Sequence, residues 1–405
     1  MIYIFYFLAA VLIFFSWKSL RGGREYLNFF RRELAREKSS YRPFVSVIAP
    51  CRGLDRELEK NLEKLFEQDY PAYEVIFVVD DRRDEAVKVI EKLLDKDDGR
   101  ARSKLVVAGP ARDEGQKVHN LREAEAVWHA AAESEVFVFV DSDARPAREW
   151  LGHLVAPLAD EQVGCATGYR WFISRRRNFA SEMLSVWNAS VASALGANTR
   201  SNFCWGGSMA LRRATFEKMG MRERLKGTVS DDFAVTRAMK ENSLAVYFVP
   251  QALTASFEDC TPAGLLEFTT RQMKITRVYA PHLWRASFIG SFLFNLVMLW
   301  AAAVVFLSPK FGFSFWFAAL TVTAVSVFSI GKAHLRLKAV KLVLTAYRTE
   351  LDRQTLPQLT LWALSPALFF YNSACALFSR EILWRGIRYK LESPFRTSKL
   401  GPGDC

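Results

Sequence analysis

Four long, nearly charge-free apolar stretches constrain this chain more than any other feature: Met1 to Trp17, Ala286 to Leu307, Ser314 to Ile330 and Leu356 to Phe378. Their lengths suit the hydrocarbon core of a bilayer, which takes about 17 to 25 apolar residues as a helix. The first has no basic residue ahead of it and no small-residue cleavage site, whereas Lys18, Arg21, Arg24, Arg31 and Arg32 follow it closely. It is expected to be an uncleaved anchor over residues 1–20 with its carboxyl side in the cytoplasm. The expected layout is that anchor, a folded cytoplasmic domain over 43–281, membrane segments over 284–379 and a basic tail over 380–405, making a multi-pass membrane protein. Positive residues on both sides of the last apolar stretch, in Lys332 to Arg353 and Arg380 to Arg396, favour the same side of the membrane, which a single crossing cannot satisfy. Pro357 and Pro366 point to a re-entrant or shallow segment there, and the number of crossings stays open.

Between the anchor and the second apolar stretch the pattern changes period. Phe44 to Ala49, Val75 to Val79, Leu105 to Ala108 and Val136 to Val140 read as strands, and Glu57 to Glu67, Asp84 to Asp95 and Val118 to Glu133 as the helices between them. That alternation predicts an α/β fold with a doubly wound, mostly parallel sheet, accompanied by transmembrane or interfacial helices. After Asp143 the rhythm loosens into Gly164 to Gly168 and Trp205-Gly206-Gly207-Ser208, with a further strand at Ala245 to Val249. A net charge of +12 would suit nucleic acid, yet the basic residues crowd beside the apolar segments, at Arg31-Arg32, Arg175 to Arg177, Lys332 to Lys341 and Arg380 to Lys390. Charge so placed meets anionic headgroups, and without zinc-finger spacing or a basic heptad no nucleic-acid partner is expected. Cys51, Cys165, Cys204, Cys260, Cys375 and Cys405 form no C-x-x-C pairs, which argues against a disulfide scaffold or structural zinc and fits a reduced compartment.

Two acidic motifs end buried strands. Asp141-Ser142-Asp143 follows Val136 to Val140, and Asp80-Asp81 follows Val75 to Val79. Ligands of open α/β sheets bind at the carboxyl ends of strands, and paired hard oxygens there suit Mg²⁺ or Mn²⁺ carrying a diphosphate, so Asp141 and Asp143 are the candidate metal ligands of a sugar-nucleotide site. The plainer reading of each motif is an Asx turn. A carboxylate of Asp80 or Asp81 could accept from the imide of a uracil ring, and Arg52 could meet a phosphate or the base. Lys117, at the helix start in Gly115-Gln116-Lys117-Val118-His119-Asn120-Leu121, offers charge to a diphosphate, although most lysines are simply solvated. His119 has no second histidine at ligand spacing and reads as structural or substrate-adjacent. Ser230-Asp231-Asp232 opens a helical pattern; capping is assigned to Ser230 or Asp231 and a general base to Asp232.

With these residues in view, the chain resembles the membrane glycosyltransferases of the family 2 and 21 type, above all the ceramide glucosyltransferases and their bacterial relatives, from about Val45 to Ala280 and more loosely through Ser379 to Ile387. Asp81, Asp141 and Asp232 match the family's three aspartates, Lys117 with Asn120-Leu121 its K-x-N-L turn, and Gly207-Ser208 its acceptor loop. Its fourth motif, R/Q-x-x-R-W, is met by Arg271-Gln272-Met273-Lys274-Ile275, which keeps both charges but has Lys for Arg and Ile for Trp, an indole being the usual sugar platform. The resemblance implies a GT-A type nucleotide-binding domain, a UDP-sugar donor, a membrane lipid acceptor, and inverting transfer of glucose to ceramide or a ceramide-like lipid. Arg52, Asp80, Asp81, Lys117, Gly207, Ser208, Arg271, Gln272 and Lys274 would then bind substrate, with Asp232 catalytic. A hopanoid or other polyol acceptor, a processive polysaccharide synthase and a catalytically dead membrane scaffold are the alternative readings.

Overall fold

The computed structural model describes residues 2–37, 39–96, 102–128, 134–308 and 311–400. Cys405, the end of the helix expected to reach Glu133 and the last positions of the expected tail lie outside them. The chain forms two compact units, an α/β unit of residues 32–172, 194–258 and 380–405 and a helical unit of residues 1–31, 173–193 and 259–379.

In the α/β unit the strands are β1 (Val45–Pro50), β2 (Tyr73–Val79), β3 (Arg102–Val107), β4 (Val136–Val140), β5 (Val163–Ile173), β6 (Ser208–Arg212) and β7 (Ala245–Phe257), in the order β3-β2-β1-β4-β6-β5-β7. The β1–β2, β2–β3 and β1–β4 pairs are parallel, and β6 runs antiparallel to β4 and β5. This is the doubly wound, mostly parallel sheet expected. Val75 to Val79 and Val136 to Val140 are buried along their whole length, as strands covered by helices on both faces must be. The chain leaves β1 toward β2 on one side and returns to β4 on the other, so a crevice opens between the carboxyl ends of β1 and β4.

The sequence reading missed β5 because Gly164 and Gly168 looked like loop residues. They are glycine for close packing: a methyl at Gly164 would lie 2.7 Å from Leu244 Cβ, and one at Gly168 would strike the Ala252 carbonyl. Strand β7 runs on to Phe257, well past the expected Val249, with Pro250 tolerated because β7 is an edge strand. The stretch expected as a basic tail is also ordered differently. It forms a three-stranded antiparallel sheet of β8 (Glu381–Trp384), β9 (Ile387–Ser393) and β10 (Arg396–Lys399). Its alternating Ile382, Ile387, Tyr389 and Leu391 are buried, and the Tyr389 hydroxyl accepts from the Gln116 amide at 3.1 Å.

In the helical unit, helices Ile2–Leu34, Pro281–Leu307 and Phe313–Val343 are each long and apolar enough to cross a membrane. The first extends beyond the expected anchor and runs through Gly22-Gly23 to Leu34. Phe5, Ala9, Val297, Ala301, Ala318 and Val325 pack together, small residues letting the helices approach. Helices Thr355–Ala363 and Ser365–Phe378 meet at a bend of 58°, where Pro366 in the first turn of the second helix prevents a straight continuation.

Candidate active site

The crevice at the strand ends is a cluster of half-buried charge around the fully buried Asp231. Lys117, in the first turn of helix Gln116–Trp128, places Nζ 2.8 Å from Asp141 Oδ1 and 3.2 Å from Asp231 Oδ1. Burial alone would depress the lysine, but Asp141 and Asp231 outweigh it and hold the ammonium charged. Asp141 likewise stays below the usual carboxylate range: burial opposes its ionisation, and Lys117 and Arg170 overcome that. Burial pushes Asp143 up despite Arg170, whose Nη1 lies 3.0 Å from Asp143 Oδ2. The other oxygen, Asp143 Oδ1, is buried without a hydrogen-bond partner.

Helix Asp231–Glu241 supplies the second carboxylate pair. Ser230 caps it, its Oγ accepting from the Phe233 amide, so Asp231 and Asp232 are both left for the crevice. Asp232 accepts from the Gly206 amide. Burial, reinforced by the neighbouring Asp231, raises Asp232 to about 7. Gly206-Gly207 has to be bare here: a methyl on Gly206 would collide with both aspartates, and one on Gly207 would lie 2.6 Å from Asp141 Oδ2. The loop before Ser230 is fixed to the Lys117 helix, because the Gly115 amide donates to the Thr228 carbonyl at 2.8 Å and the Gly227 amide to Glu114 Oε2 at 3.1 Å. Glu114 also pairs with Arg122 and His119, which makes His119 structural.

A further cation arrives from the end of the chain. Strands β8 and β9 are joined by a two-residue turn, Arg385-Gly386, with φ of 51° and 76°. Both residues are left-handed, as a type I′ hairpin turn demands. Arg385 Nη2 lies 2.9 Å from Asp55 Oδ2, which also takes the Ser142 hydroxyl at 2.6 Å. The turn thus reaches the Asp141-Ser142-Asp143 corner, and Arg385 Nη1 donates to the Arg52 carbonyl at 3.2 Å. Arg52 itself is ion-paired with Asp80.

The sequence-predicted residues separate accordingly. Arg52, Asp80, Lys117, Asp141, Asp143, Gly207 and Asp232 lie around the crevice. Asp81 is half-exposed, its carboxylate held by Arg83 Nη2 at 2.8 Å, and these bonds lower its pKa to about 2. The Ser208 hydroxyl is buried, accepts from Trp150 Nε1 at 2.8 Å and donates to the Ala252 carbonyl at 3.2 Å, so its proton is already committed within the fold. Arg271, Gln272 and Lys274 belong to the helical unit, on helix Pro262–Tyr279, where the Arg271 guanidinium stacks over Phe268 at 5.3 Å. Sequence reasoning missed Asp55, Arg170, Asp231 and Arg385 as site residues. Only Arg385 carried a signal, an Arg-Gly pair between two alternating apolar runs, which is a hairpin pattern.

Compared with known proteins, the chain matches glycosyl transferase family 21 over residues 4–396. The chain belongs to glycosyl transferase family 21. Ceramide glucosyltransferase 1 of Caenorhabditis elegans is 22% identical over 247 residues, 60% of this family 21 chain and 51% of that relative, so the match spans about half the relative's length. Ceramide glucosyltransferase of Komagataella phaffii is 38% identical over 52 residues, 13% of this chain and 10% of that relative. Among solved structures, mannosyltransferase PcManGT from Pyrobaculum calidifontis in complex with GDP-Man and Mn²⁺ gives a TM-score of 0.43 at 21% identity, covering 90% of this chain and 99% of that one. Glucosyl-3-phosphoglycerate synthase from Mycobacterium tuberculosis in complex with Mn²⁺ and UDP-glucose gives 0.37 at 15% identity, covering 62% and 82%.

A divalent ion fits this family 21 site on one condition. Among the described residues no group of three or more His, Cys, Asp or Glu is placed to hold a metal, but Mg²⁺ and Mn²⁺ keep water and take phosphate oxygens beside one or two carboxylates. The unpartnered Asp143 Oδ1 and the ionised Asp141 are a donor set for an ion that enters with a diphosphate.

Proposed function

We propose that the chain transfers glucose from UDP-glucose, with inversion, to the hydroxyl of a membrane lipid, ceramide or a ceramide-like lipid. The observation that carries this is Asp232: a half-buried carboxylate with its pKa raised to about 7, fixed by the Gly206 amide beside a cationic crevice. A general base works best with a pKa near the working pH. Asp232 takes the proton of the lipid hydroxyl as that oxygen attacks the anomeric carbon and the bond to the β-phosphate oxygen breaks. The inverted glucoside and UDP are the products. Lys117, Arg170 and Arg385 supply positive charge for the departing diphosphate. Arg52, Asp80 and Asp81 hold the nucleoside. Mg²⁺ or Mn²⁺ bound with the diphosphate at Asp141 and Asp143 would neutralise charge on the leaving group. The test is mass spectrometry of lipid products after incubating the detergent-purified chain with UDP-glucose, UDP-galactose, UDP-N-acetylglucosamine and GDP-mannose and a total lipid extract. A hexosylceramide formed only with UDP-glucose is the expected result; a polymeric sugar product, or release of UDP without any glycolipid, would overturn it.

A further inference from the structure

A cleft of about 390 Å³ opens within the helical unit, lined by none of the residues assigned above. Serines from five helices face it: Ser16, Ser190, Ser287, Ser329 and Ser365. Phe15, Phe294, Trp362 and Phe369 form apolar walls, and Lys332 and Arg336, one turn apart on helix Phe313–Val343, line it with no acidic residue opposite. Arg336 is 4% exposed. Its Nη2 donates to Gln358 Oε1 at 3.1 Å, but its Nε is buried with no partner. Among the described residues neither cation has an ion-pair partner.

Two cations without a counter-charge beside an apolar helix bundle are costly unless a ligand supplies the missing anion. Nor can they leave readily. A methyl at Gly23 would lie 3.3 Å from Lys332 Cγ and one at Gly331 2.9 Å from Leu20 Cδ1, so the first and third long helices are locked together around the lysine stem. We infer that this cleft is a binding site for the phosphate headgroup of an anionic membrane lipid. Lys332 and Arg336 take the phosphate oxygens, the serines take headgroup hydroxyls, and the acyl chains lie along Phe15 and Phe294. Basic pockets between membrane helices select such lipids by the same charge complementarity. The site stands independently of the sugar-transfer reading.

The experiment measures thermal stability and tryptophan fluorescence of the full chain in neutral detergent while phosphatidylglycerol, phosphatidylcholine, ceramide or inorganic phosphate is titrated in. Phosphatidylglycerol is expected to give a saturable rise in melting temperature that phosphatidylcholine and ceramide do not. The Lys332→Gln/Arg336→Gln double variant should weaken that binding at least tenfold. Should it fail to fold, Gly290→Leu decides, because a side chain there has open space and fills the cleft with both charges intact. Equal effects of all three lipids, the same response to inorganic phosphate alone, or unchanged phosphatidylglycerol binding in Gly290→Leu would each overturn the assignment.

Discussion

Asp232 shows how surroundings change the acidity of a single carboxylate. Burial and the adjacent Asp231 raise its pKa to about 7, so the carboxylate is protonated below that value and able to accept a proton only above it. Transfer is therefore expected to rise about tenfold per pH unit up to pH 7 and to level off near pH 8, read as kcat/KM against pH. Asp232→Asn keeps the shape and removes the base; turnover should fall by about 10²–10⁴-fold while calorimetric UDP affinity stays within a factor of two or three, and wild-type turnover in the variant would remove Asp232 from this role. Asp141→Ala should act on binding instead, weakening UDP-glucose affinity and abolishing its sensitivity to EDTA, because Lys117 loses its 2.8 Å partner and a divalent ion bound with the diphosphate would lose an ionised oxygen ligand. An Asp141→Ala protein that still binds donor in an EDTA-sensitive way would refute that assignment. Asp141, Asp143 and Asp232 were legible from local context, as acids at strand ends or a helix start. The surroundings of Ser208 were not legible, because a serine after two glycines looks like a loop contact, whereas its partners, Trp150 and Ala252, are remote in sequence.

At the level of elements, the hairpin of β8 and β9 concentrates the balance between stability and function. Arg385 at φ 51° sits where asparagine or glycine is at ease and arginine is not. Substitution to Asn relieves about 1–2 kcal/mol of backbone strain and gives up a partly exposed ion pair with Asp55 of about 1 kcal/mol, so the melting temperature should move little. Donor affinity should nonetheless drop about tenfold, since the guanidinium beside Asp55 and Ser142 is gone. Unaltered UDP binding in Arg385→Asn would show the turn to be purely structural. Strands β2 and β4 were readable because each is buried on both faces and leaves a continuous apolar run, and β1 because its run is broken only by Ser46. Strand β5 was hidden by Gly164 and Gly168, which answer to Leu244 and Ala252 rather than to their own neighbours. Long-range packing of this kind has no local signature.

For the whole molecule, the decisive fact is that the α/β unit is assembled from three separate stretches of chain, 32–172, 194–258 and 380–405. Its last stretch touches the earlier ones through Tyr389 on Gln116, Arg385 on Asp55, and the Phe395 ring 4.5 Å from the Arg237 guanidinium. Truncation after Ser379 should leave the long apolar helices in the membrane yet eliminate calorimetrically detectable UDP binding; retained binding would mean that the terminal sheet is dispensable. A ribosome making this chain delivers Asp141 and Asp232 well before Arg385, and the whole of 284–379 lies between. The nascent chain therefore holds a half-built crevice until its long apolar helices have been made, and the arginine turn that closes the corner arrives after them. On the proposed function, competence would thereby be ordered behind the making of the apolar helices: a copy stranded before they are complete has no Arg385 to set beside Asp55 and Ser142.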